Sequence, residues 1–225
     1  MRRSPGTRLI FLSSSSVHYR SGPQHGITEE TPLPSRPINR YAATKRIAEE
    51  LVRERVPDAV ILRPRAVFGP RDTVLLPRIL QAARAGKLPW LKSRTPAVGD
   101  LIYVQNLVDI VAQAADDPSI QGTFNVTNGE PIEIEAFIAE VLRRLDIPLP
   151  TRRVKVGTAM AAATVLETLH ALFRPQVEPA ITRFGVHVFA YGKTFDITRA
   201  KRTFGAPRIS LEQGLERTLD WLRSE

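Results

Sequence analysis

Two short runs of consecutive apolar residues stand out in the first third of the chain, at 9–12 (LIFL), directly after Arg8, and at 59–62 (AVIL). Such runs are typical of strands that are buried on both faces of a parallel sheet. Between them, Asn39 can cap a helix over about 40–56. Apolar side chains recur along this helix at i, i+4 spacing, and they form a stripe of Ala43, Ile47, Ala48, Leu51 and Val52. The order strand, helix, strand predicts a βαβ unit with a right-handed crossover.

The remainder of the chain has a mixed pattern. The stretch between the first strand and the helix holds Gly22, Pro23, Gly26, Pro32 and Pro34, and we expect it to be irregular. Further helices are predicted at about 73–85, 106–116, 133–145, 158–173 and 210–223. Short strands are predicted near 102–103, 123–126, 153–156 and 194–197. These elements predict an α/β framework from which a smaller α+β lobe emerges.

Composition narrows the chemistry. The 225 residues are 43% hydrophobic and 24% charged, which is typical of a soluble folded protein with a sizeable core. The absence of cysteine excludes disulfide scaffolds, thiolate metal sites and cysteine nucleophiles. The four histidines are widely spaced, so we expect no metal site. The net charge of +9 comes largely from scattered arginines without stacking aromatics, which favours a solvated surface over a nucleic-acid site.

Nothing at the start of the chain indicates a secretory signal, because the apolar run 9–12 is too short for one. The nearest approach to a membrane span is 156–173, which carries several polar residues. We interpret it as a buried or surface-docked helix, with peripheral membrane contact as the alternative. A cytoplasmic location is the expectation.

Tyr41 and Lys45 lie four residues apart near the start of the predicted helix, so their side chains project from one face. A lysine ammonium beside a phenol stabilises the phenolate, and such a tyrosine can exchange a proton with an alcohol or ketone oxygen. Ser14 follows the preceding strand, at the sheet edge where open α/β sheets bind ligands. Together the three residues suit proton transfer coupled to hydride transfer at a carbinol carbon.

Each of these residues also has a structural interpretation. Tyrosine and lysine four apart occur by chance in many chains, as a surface tyrosine and a solvated lysine. A serine run after a strand can simply satisfy backbone groups with its hydroxyls.

Longer segments resemble the extended short-chain dehydrogenases/reductases, also called the NAD-dependent epimerase/dehydratase superfamily. Residues 9–18 (LIFLSSSSVH) resemble the strand and loop that carry the family's catalytic serine, with Ser14 at the matching position. Residues 41–45 (YAATK) resemble its YxxxK motif, and 62–70 (LRPRAVFGP) resemble the segment that passes the nicotinamide. Later landmarks of the family are matched at 127–131, 195–201 and 210–222.

The resemblance implies a fold and two domains. The fold is the C-terminal part of a Rossmann-type, doubly wound parallel sheet with a smaller α+β substrate-binding lobe. We place the partial Rossmann-type catalytic domain at 1–98. The mixed lobe, with segments that return to the sheet, is placed at 99–225.

The resemblance also implies roles for individual residues. Tyr41 is the acid/base, Lys45 holds the nicotinamide ribose and tunes Tyr41, and Ser14 hydrogen-bonds the substrate oxygen. The cofactor is NAD or NADP, and its binding residues are Tyr41, Lys45, Pro64, Ala66 and Val67. The expected ligand is a small molecule, and a homodimer through the Tyr41 helix is expected by analogy.

The segment 99–106 (GDLIYVQN) bears on the substrate. Nucleotide-sugar epimerases and dehydratases of the family usually have an arginine at the position of Gly99, where it grips the substrate diphosphate, and glycine cannot make that contact. The pattern is closer to the 3β-hydroxysteroid dehydrogenase-like branch, which implies a non-phosphorylated, apolar, sterol-like substrate. Gln105 also departs from the usual aspartate. A nucleotide-sugar epimerase or dehydratase, and a catalytically silent binding remnant, are the alternatives.

The family's glycine-rich dinucleotide loop has no counterpart in this sequence, which contains neither GxxGxxG nor GxGxxG. We therefore expect the isolated chain to bind NAD(P) weakly and to be inactive without the family's first half. The explanations are a gene start assigned too late, a genuine fragment, or a second polypeptide that supplies the missing half. The leader 1–7 has no evident structural role, which favours the first.

Overall fold

The computed structural model describes residues 7–93, 95–173 and 182–224, so most of the leader lies outside the described residues. The strands are β1 (Ile10–Leu12), β2 (Gln24–Ile27), β3 (Val60–Pro64), β4 (Val67–Phe68), β5 (Trp90–Lys92), β6 (Val98–Gly99), β7 (Ile102–Tyr103), β8 (Gly122–Val126), β9 (Ile132–Glu133), β10 (Arg153–Lys155) and β11 (Lys193–Phe195). The α-helices are α1 (Arg40–Arg55), α2 (Leu76–Arg84), α3 (Val104–Asp116), α4 (Ile134–Arg144), α5 (Val156–Phe173), α6 (Arg183–Ala190), α7 (Thr198–Phe204) and α8 (Leu211–Ser224).

The central sheet is parallel and has the order β1-β3-β8. β1 and β3 are adjacent parallel strands, and α1 lies between them in the chain, which confirms the predicted βαβ unit. The register places Leu12 opposite Leu62, so β1 and β3 present their carboxyl ends at the same edge. The sheet and the helices around it confirm the α/β fold class.

A second sheet has the order β2-β11-β6-β9, in which only the β6-β9 pair is antiparallel among the pairings of the described residues. Two further parallel pairs, β5-β10 and β4-β7, complete the strands. These short strands bring distant parts of the chain together, since β2 pairs with a strand near residue 194. The proposed division at 98/99 stays a prediction.

Two apolar clusters form the core. One surrounds β3 and β8 and includes Val60, Leu62, Phe124 and Val126. The other is formed mainly by α2, α4 and α8, and its fully buried members include Leu76, Leu142, Leu215 and Leu219.

The six helices predicted from apolar periodicity all occur, and their ends fall within three residues of the expected positions. Other expectations were wrong. The stretch after β1 is not wholly irregular, because β2 forms within it through pairing with β11. Sequence periodicity also missed β4, β5, β6 and β9, which have two or three residues each, and the short helices α6 and α7. Strands of that length contain too few residues to show a period.

Two apolar segments are more exposed than their patterns indicate. β1 was expected to be buried on both faces, yet Ile10 and Phe11 are half-buried and Leu12 is 44% exposed. The reason is that, in the part of the chain that the structure describes, β1 pairs with β3 alone. In α1, Ile47 and Leu51 of the apolar stripe face outward, whereas Ala42 and Glu49 are buried.

α5 differs from the other helices in exposing apolar residues along most of its length. Among the described residues it is the one helix long and apolar enough to cross a membrane by length and composition alone, with a mean hydropathy of 1.4 and 6% of its residues buried. Val165, Leu169, Leu172 and Phe173 are its exposed large apolar side chains.

Candidate active site

Ser14 lies directly after β1, where the chain turns into a short 3-10 helix, Ser15–His18. It is the N-cap residue of that helix and its backbone is extended. Its Oγ accepts hydrogen bonds from the Ser16 amide at 3.2 Å and from Ser16 Oγ at 2.9 Å. A hydroxyl that accepts two bonds still has its own proton to donate to another oxygen. The capping role predicted by the structural interpretation and the role implied by the family are therefore compatible.

Tyr41 and Lys45 occupy the first two turns of α1, which begins after the Asn39 cap, whose Oδ1 accepts from the Ala42 amide at 2.8 Å. Tyr41 is 51% exposed, so its phenol is accessible to a ligand. Lys45 Nζ lies 5.8 Å from the centroid of the Tyr41 ring and donates a hydrogen bond of 2.7 Å to the carbonyl oxygen of Leu12. The lysine thus joins the helix to the carboxyl end of β1.

α1 packs against the short helix that Ser14 caps. The structure therefore brings the elements carrying Ser14, Tyr41 and Lys45 together at one edge of the central sheet. This edge is where an open parallel sheet binds its ligands.

Pro64, Ala66 and Val67 lie at the neighbouring strand end. Pro64 is the last residue of β3, and Val67 begins β4, where it pairs with Ile102. Between them Ala66 has φ of +43°, which is uncommon for a residue with a side chain. Its carbonyl accepts a hydrogen bond of 3.4 Å from the Ile102 amide. This segment therefore crosses from the central sheet to the β4-β7 pair at the same edge as Ser14.

A buried ionic network lies beneath these residues, and the sequence pattern did not predict it. Glu49, fully buried on α1, accepts hydrogen bonds from Ser13 Oγ at 2.5 Å and from Arg63 at 2.9 and 2.7 Å. Arg53 donates to the same carboxylate from the surface side at 2.7 Å. Arg63 also lies 2.8 Å from Nε2 of buried His18. The available signal was the i, i+4, i+8 line of Tyr41, Lys45 and Glu49.

The network shifts two pKa values. Burial alone would raise the pKa of Glu49, but the hydrogen bonds and charge of Arg63, with Ser13 and Arg53, bring it below its ordinary value. Burial, and then the charge of Arg63, lowers the pKa of His18 to about 4. His18 is therefore neutral at physiological pH. Because arginine can only donate, His18 Nε2 is the acceptor and the ring proton is on Nδ1.

A second group of buried charges lies between the two sheets. Arg65 and Lys193 approach the ring of buried Tyr19, at 5.3 and 5.8 Å from its centroid. Lys193 Nζ donates to the carbonyl oxygens of Arg20, at 2.9 Å, and of Gly22. Burial and the charge of Arg65 lower the pKa of Lys193 to about 8.

Gly99 and Gln105 are the two positions at which the segment 99–106 departs from residues that are usual in the family. Gly99 is buried in β6, and a Cβ atom there would lie 3.2 Å from Ile134 Cδ1, so a larger residue would crowd that side chain. Gln105 donates a hydrogen bond of 2.9 Å to Asp109. Across residues 7–93, 95–173 and 182–224, no cluster of three or more histidine or carboxylate ligands for a metal is present.

Comparison with known proteins identifies relatives of this chain. A 2-alkyl-3-oxoalkanoate reductase of Shewanella oneidensis is 34% identical over 227 residues, which cover 93% of this chain and 58% of the relative. A sterol-4-alpha-carboxylate 3-dehydrogenase, decarboxylating, of Mus musculus is 29% identical, over 94% of this chain and 62% of the relative. The chain thus spans about 58–62% of the length of these two relatives.

Solved structures support the fold. The crystal structure of gox2253 aligns with a TM-score of 0.70 at 24% identity, over 96% of this chain and 66% of that one. The UDP-glucuronic acid 4-epimerase of Bacillus cereus, in complex with NAD, aligns with a TM-score of 0.64 at 17% identity, over 96% of this chain and 61% of that one. These likenesses show the Rossmann-type fold.

The family itself follows from the sequence match. The 3-beta hydroxysteroid dehydrogenase/isomerase family model matches residues 4–156, which include Ser14, Tyr41, Lys45 and the Pro64 to Val67 segment. This chain belongs to the 3-beta hydroxysteroid dehydrogenase/isomerase family.

Proposed function

We propose that this chain is the catalytic part of an NAD(P)-dependent oxidoreductase that interconverts a hydroxyl and a keto group on a non-phosphorylated, apolar substrate. The observation that carries the proposal is the position of Lys45, which lies beside the Tyr41 ring and is hydrogen-bonded to Leu12 O at the carboxyl end of β1. The protein is a member of a family of hydroxysteroid dehydrogenases, and that membership supports a role in hydride and proton transfer for this arrangement.

The side chains divide the work of moving a proton. In the direction of reduction, Ser14 donates a hydrogen bond to the substrate carbonyl oxygen, and Tyr41 transfers its phenolic proton to that oxygen. The Lys45 ammonium stabilises the phenolate that remains. When bound, the nicotinamide supplies or accepts the hydride at the adjacent carbon. Oxidation reverses each transfer.

The residues at the sheet edge fit the nicotinamide-ribose end of a dinucleotide. Lys45 offers an ammonium to ribose hydroxyls, and the exposed phenol of Tyr41 lies on the same helix face. Pro64, Ala66 and Val67 would contact the ring. The left-handed backbone of Ala66 supports this role, because uncommon backbone conformations cluster at ligand sites.

The names of two relatives narrow the substrate class. A 3-oxoalkanoate and a sterol-4-carboxylate oxidised at position 3 share one feature, a reacting carbon separated by a single carbon from a carboxylate. We therefore propose a 3-hydroxy or 3-oxo acid with a large apolar substituent as the substrate. The absence of an arginine at Gly99 supports a substrate without a diphosphate.

An activity assay tests the proposal. A polypeptide that contains this chain is mixed with a 2-alkyl-3-oxo acid and NADH or NADPH. We expect substrate-dependent oxidation of the reduced cofactor, and a loss of about a hundredfold or more in turnover for Tyr41→Phe. Tyr103→Phe removes the same atom from a buried tyrosine packed against Phe68 and is the matched control. Equal turnover in both variants would refute the role of Tyr41.

The alternatives give different outcomes in the same assay. A nucleotide-sugar epimerase or dehydratase, a class that includes the Bacillus cereus structural neighbour, would bind and convert a UDP- or dTDP-sugar. A silent binding remnant would leave NADH fluorescence unchanged on mixing and would convert no substrate.

Contact of α5 with a bilayer and a homodimer through α1 also stay predictions, as does the cytoplasmic location. The exposed apolar residues Leu172 and Phe173 support the first, and exposed Ile47 and Leu51 support the second. Flotation with anionic vesicles and sedimentation equilibrium of the protein test them separately.

A further inference from the structure

We propose that the buried Glu49–Arg63 ion pair is a positioning device that holds α1 at one rotation and height against the strand ends, and so places Tyr41 and Lys45 relative to Ser14. The inference rests on the proposed function, since it assigns residues that act through the proton-transfer set.

The contacts of Glu49 join three elements at one carboxylate. Oε1 accepts from Ser13 Oγ at 2.5 Å and from Arg63 Nε at 2.9 Å, and Oε2 accepts from Arg63 Nη2 and from Arg53 Nη2, each at 2.7 Å. A carboxylate with four donors is saturated, and the paired contact with Arg63 fixes its plane as well as its position.

Two of these partners lie next to site residues in the chain. Ser13 precedes Ser14 at the end of β1, and Arg63 precedes Pro64 at the end of β3. On the helix, Glu49 lies one turn beyond Lys45 and two turns beyond Tyr41, about 12 Å from Tyr41 along the axis. The helix face that presents the phenol and the ammonium at the sheet edge is therefore anchored by a charge deeper in the protein.

The network also holds the loop that contains Ser14. Ser13, before the short helix, is held by Glu49, and His18, at its end, is hydrogen-bonded to Arg63. A displacement of the ion pair would therefore move the helix and the Ser14 loop together.

Apolar packing alone would favour another rotation of α1. At 3.6 residues per turn, Ile47 and Leu51 lie about 160° around the helix from Glu49, and both are exposed while Glu49 is fully buried. Burial of an ion pair is a poor source of stability, and in some proteins buried polar groups instead specify one arrangement over others. The ion pair thus favours the helix rotation that exposes Tyr41 at the sheet edge, whereas burial of the apolar stripe would favour a different rotation.

The test compares Glu49→Gln with Leu219→Ala, a core variant in α8 that is expected to lose stability through a different mechanism. Ser13→Ala removes a single donor to Glu49 and is the milder variant, should Glu49→Gln fail to fold. Each is assayed in a polypeptide that contains this chain and a dinucleotide-binding half, well below its unfolding temperature, for kcat and KM. The acetylation rate of Lys45 is measured by mass spectrometry, with exposed Lys87 as the internal reference.

We expect Glu49→Gln to lower kcat about a hundredfold with a smaller change in KM, because a shift of about 1 Å in a reacting group has that effect. Lys45 acetylation should rise several-fold, Ser13→Ala should fall between wild type and Glu49→Gln, and Glu49→Asp should recover part of the loss. Leu219→Ala should match wild type in both readouts.

Equal kcat and equal Lys45 acetylation in Glu49→Gln and Leu219→Ala would overturn the positioning role. If the wild-type form of a polypeptide that contains this chain and a dinucleotide-binding half transfers no hydride, the proposed function fails instead. The acetylation rate of Lys45 then still decides whether Glu49 positions the helix.

Discussion

α1 and α8 are helices of similar length that meet the protein interior in opposite ways. α8 buries Leu211, Leu215 and Leu219, as its apolar periodicity predicts. α1 exposes Ile47 and Leu51, and it buries Glu49 in an ionic network. A helix whose task is to fill the core follows its hydrophobic pattern. A helix that carries reactive groups can instead be oriented by a few charged contacts.

The largest expected effect concerns the Glu49–Arg63 ion pair, which is the anchor of α1. Arg63→Met leaves Glu49 buried beside fewer donors, and we expect a loss of about 3–5 kcal/mol in the free energy of unfolding. Chemical denaturation measures it. Arg53→Met removes the partner that is 43% exposed and should cost about 1 kcal/mol or less. Similar losses of unfolding free energy in the two variants would mean that buried Arg63 contributes no more to stability than exposed Arg53.

The anchor of α8 is its row of buried leucines, and a substitution there should lower stability as it does at an ordinary core position. Leu215→Ala is expected to cost about 2–5 kcal/mol, because it removes fully buried methyl groups and leaves a cavity. Denaturation measures the loss, and turnover of the remaining folded protein should be unchanged. A marked loss of turnover in the folded fraction would remove the contrast between the two helices.

Acid should weaken the ionic network that holds α1, and it should leave the apolar contacts of α8 unchanged. The pKa of His18 is about 4 in the folded protein and about 6.5 when unfolded, so the unfolded state binds the proton first. The contribution of neutral His18 to the free energy of unfolding is therefore fully present above pH 6.5, and about 3 kcal/mol of it is lost between pH 6.5 and 4. Below that range Glu49, whose pKa is also lowered, adds to the loss.

Denaturation curves over this pH range check the prediction, with His18→Gln as the variant that should flatten them. His187→Gln is the comparison variant: burial also lowers the pKa of half-buried His187, but by less, so this variant should flatten the curves less than His18→Gln. An unchanged slope in His18→Gln would assign the acid sensitivity elsewhere.

The smallest effect is expected on the outer face of α1. Ile47→Ser should change the unfolding free energy of the monomer by about 0.5 kcal/mol or less, because Ile47 is 56% exposed. Denaturation measures the change. If α1 forms the expected homodimer, sedimentation should show the variant to be more monomeric than wild type. A large loss of monomer stability would mean that Ile47 is packed in solution.

The sequence allowed the local features to be predicted and missed those that depend on distant partners. The helix over 40–55 and its Asn39 cap follow from neighbouring residues, and so does the Tyr41 and Lys45 pairing on one face. β2 was missed because its partner β11 lies far along the chain. Glu49 was missed because a glutamate on a helix is ordinarily solvated, and only the fold brings Arg63 to it.

Lys45 donates to a carbonyl of the main chain, and no side chain at position 12 takes part in that bond. A substitution at position 12 that preserves the strand therefore leaves this bond in place. A one-residue slip of β1 along β3 would instead move the acceptor by about 3.3 Å and separate the ammonium from it. The register of β1 against β3 therefore determines where the Lys45 ammonium is held, although neither strand contributes a side chain to that hydrogen bond.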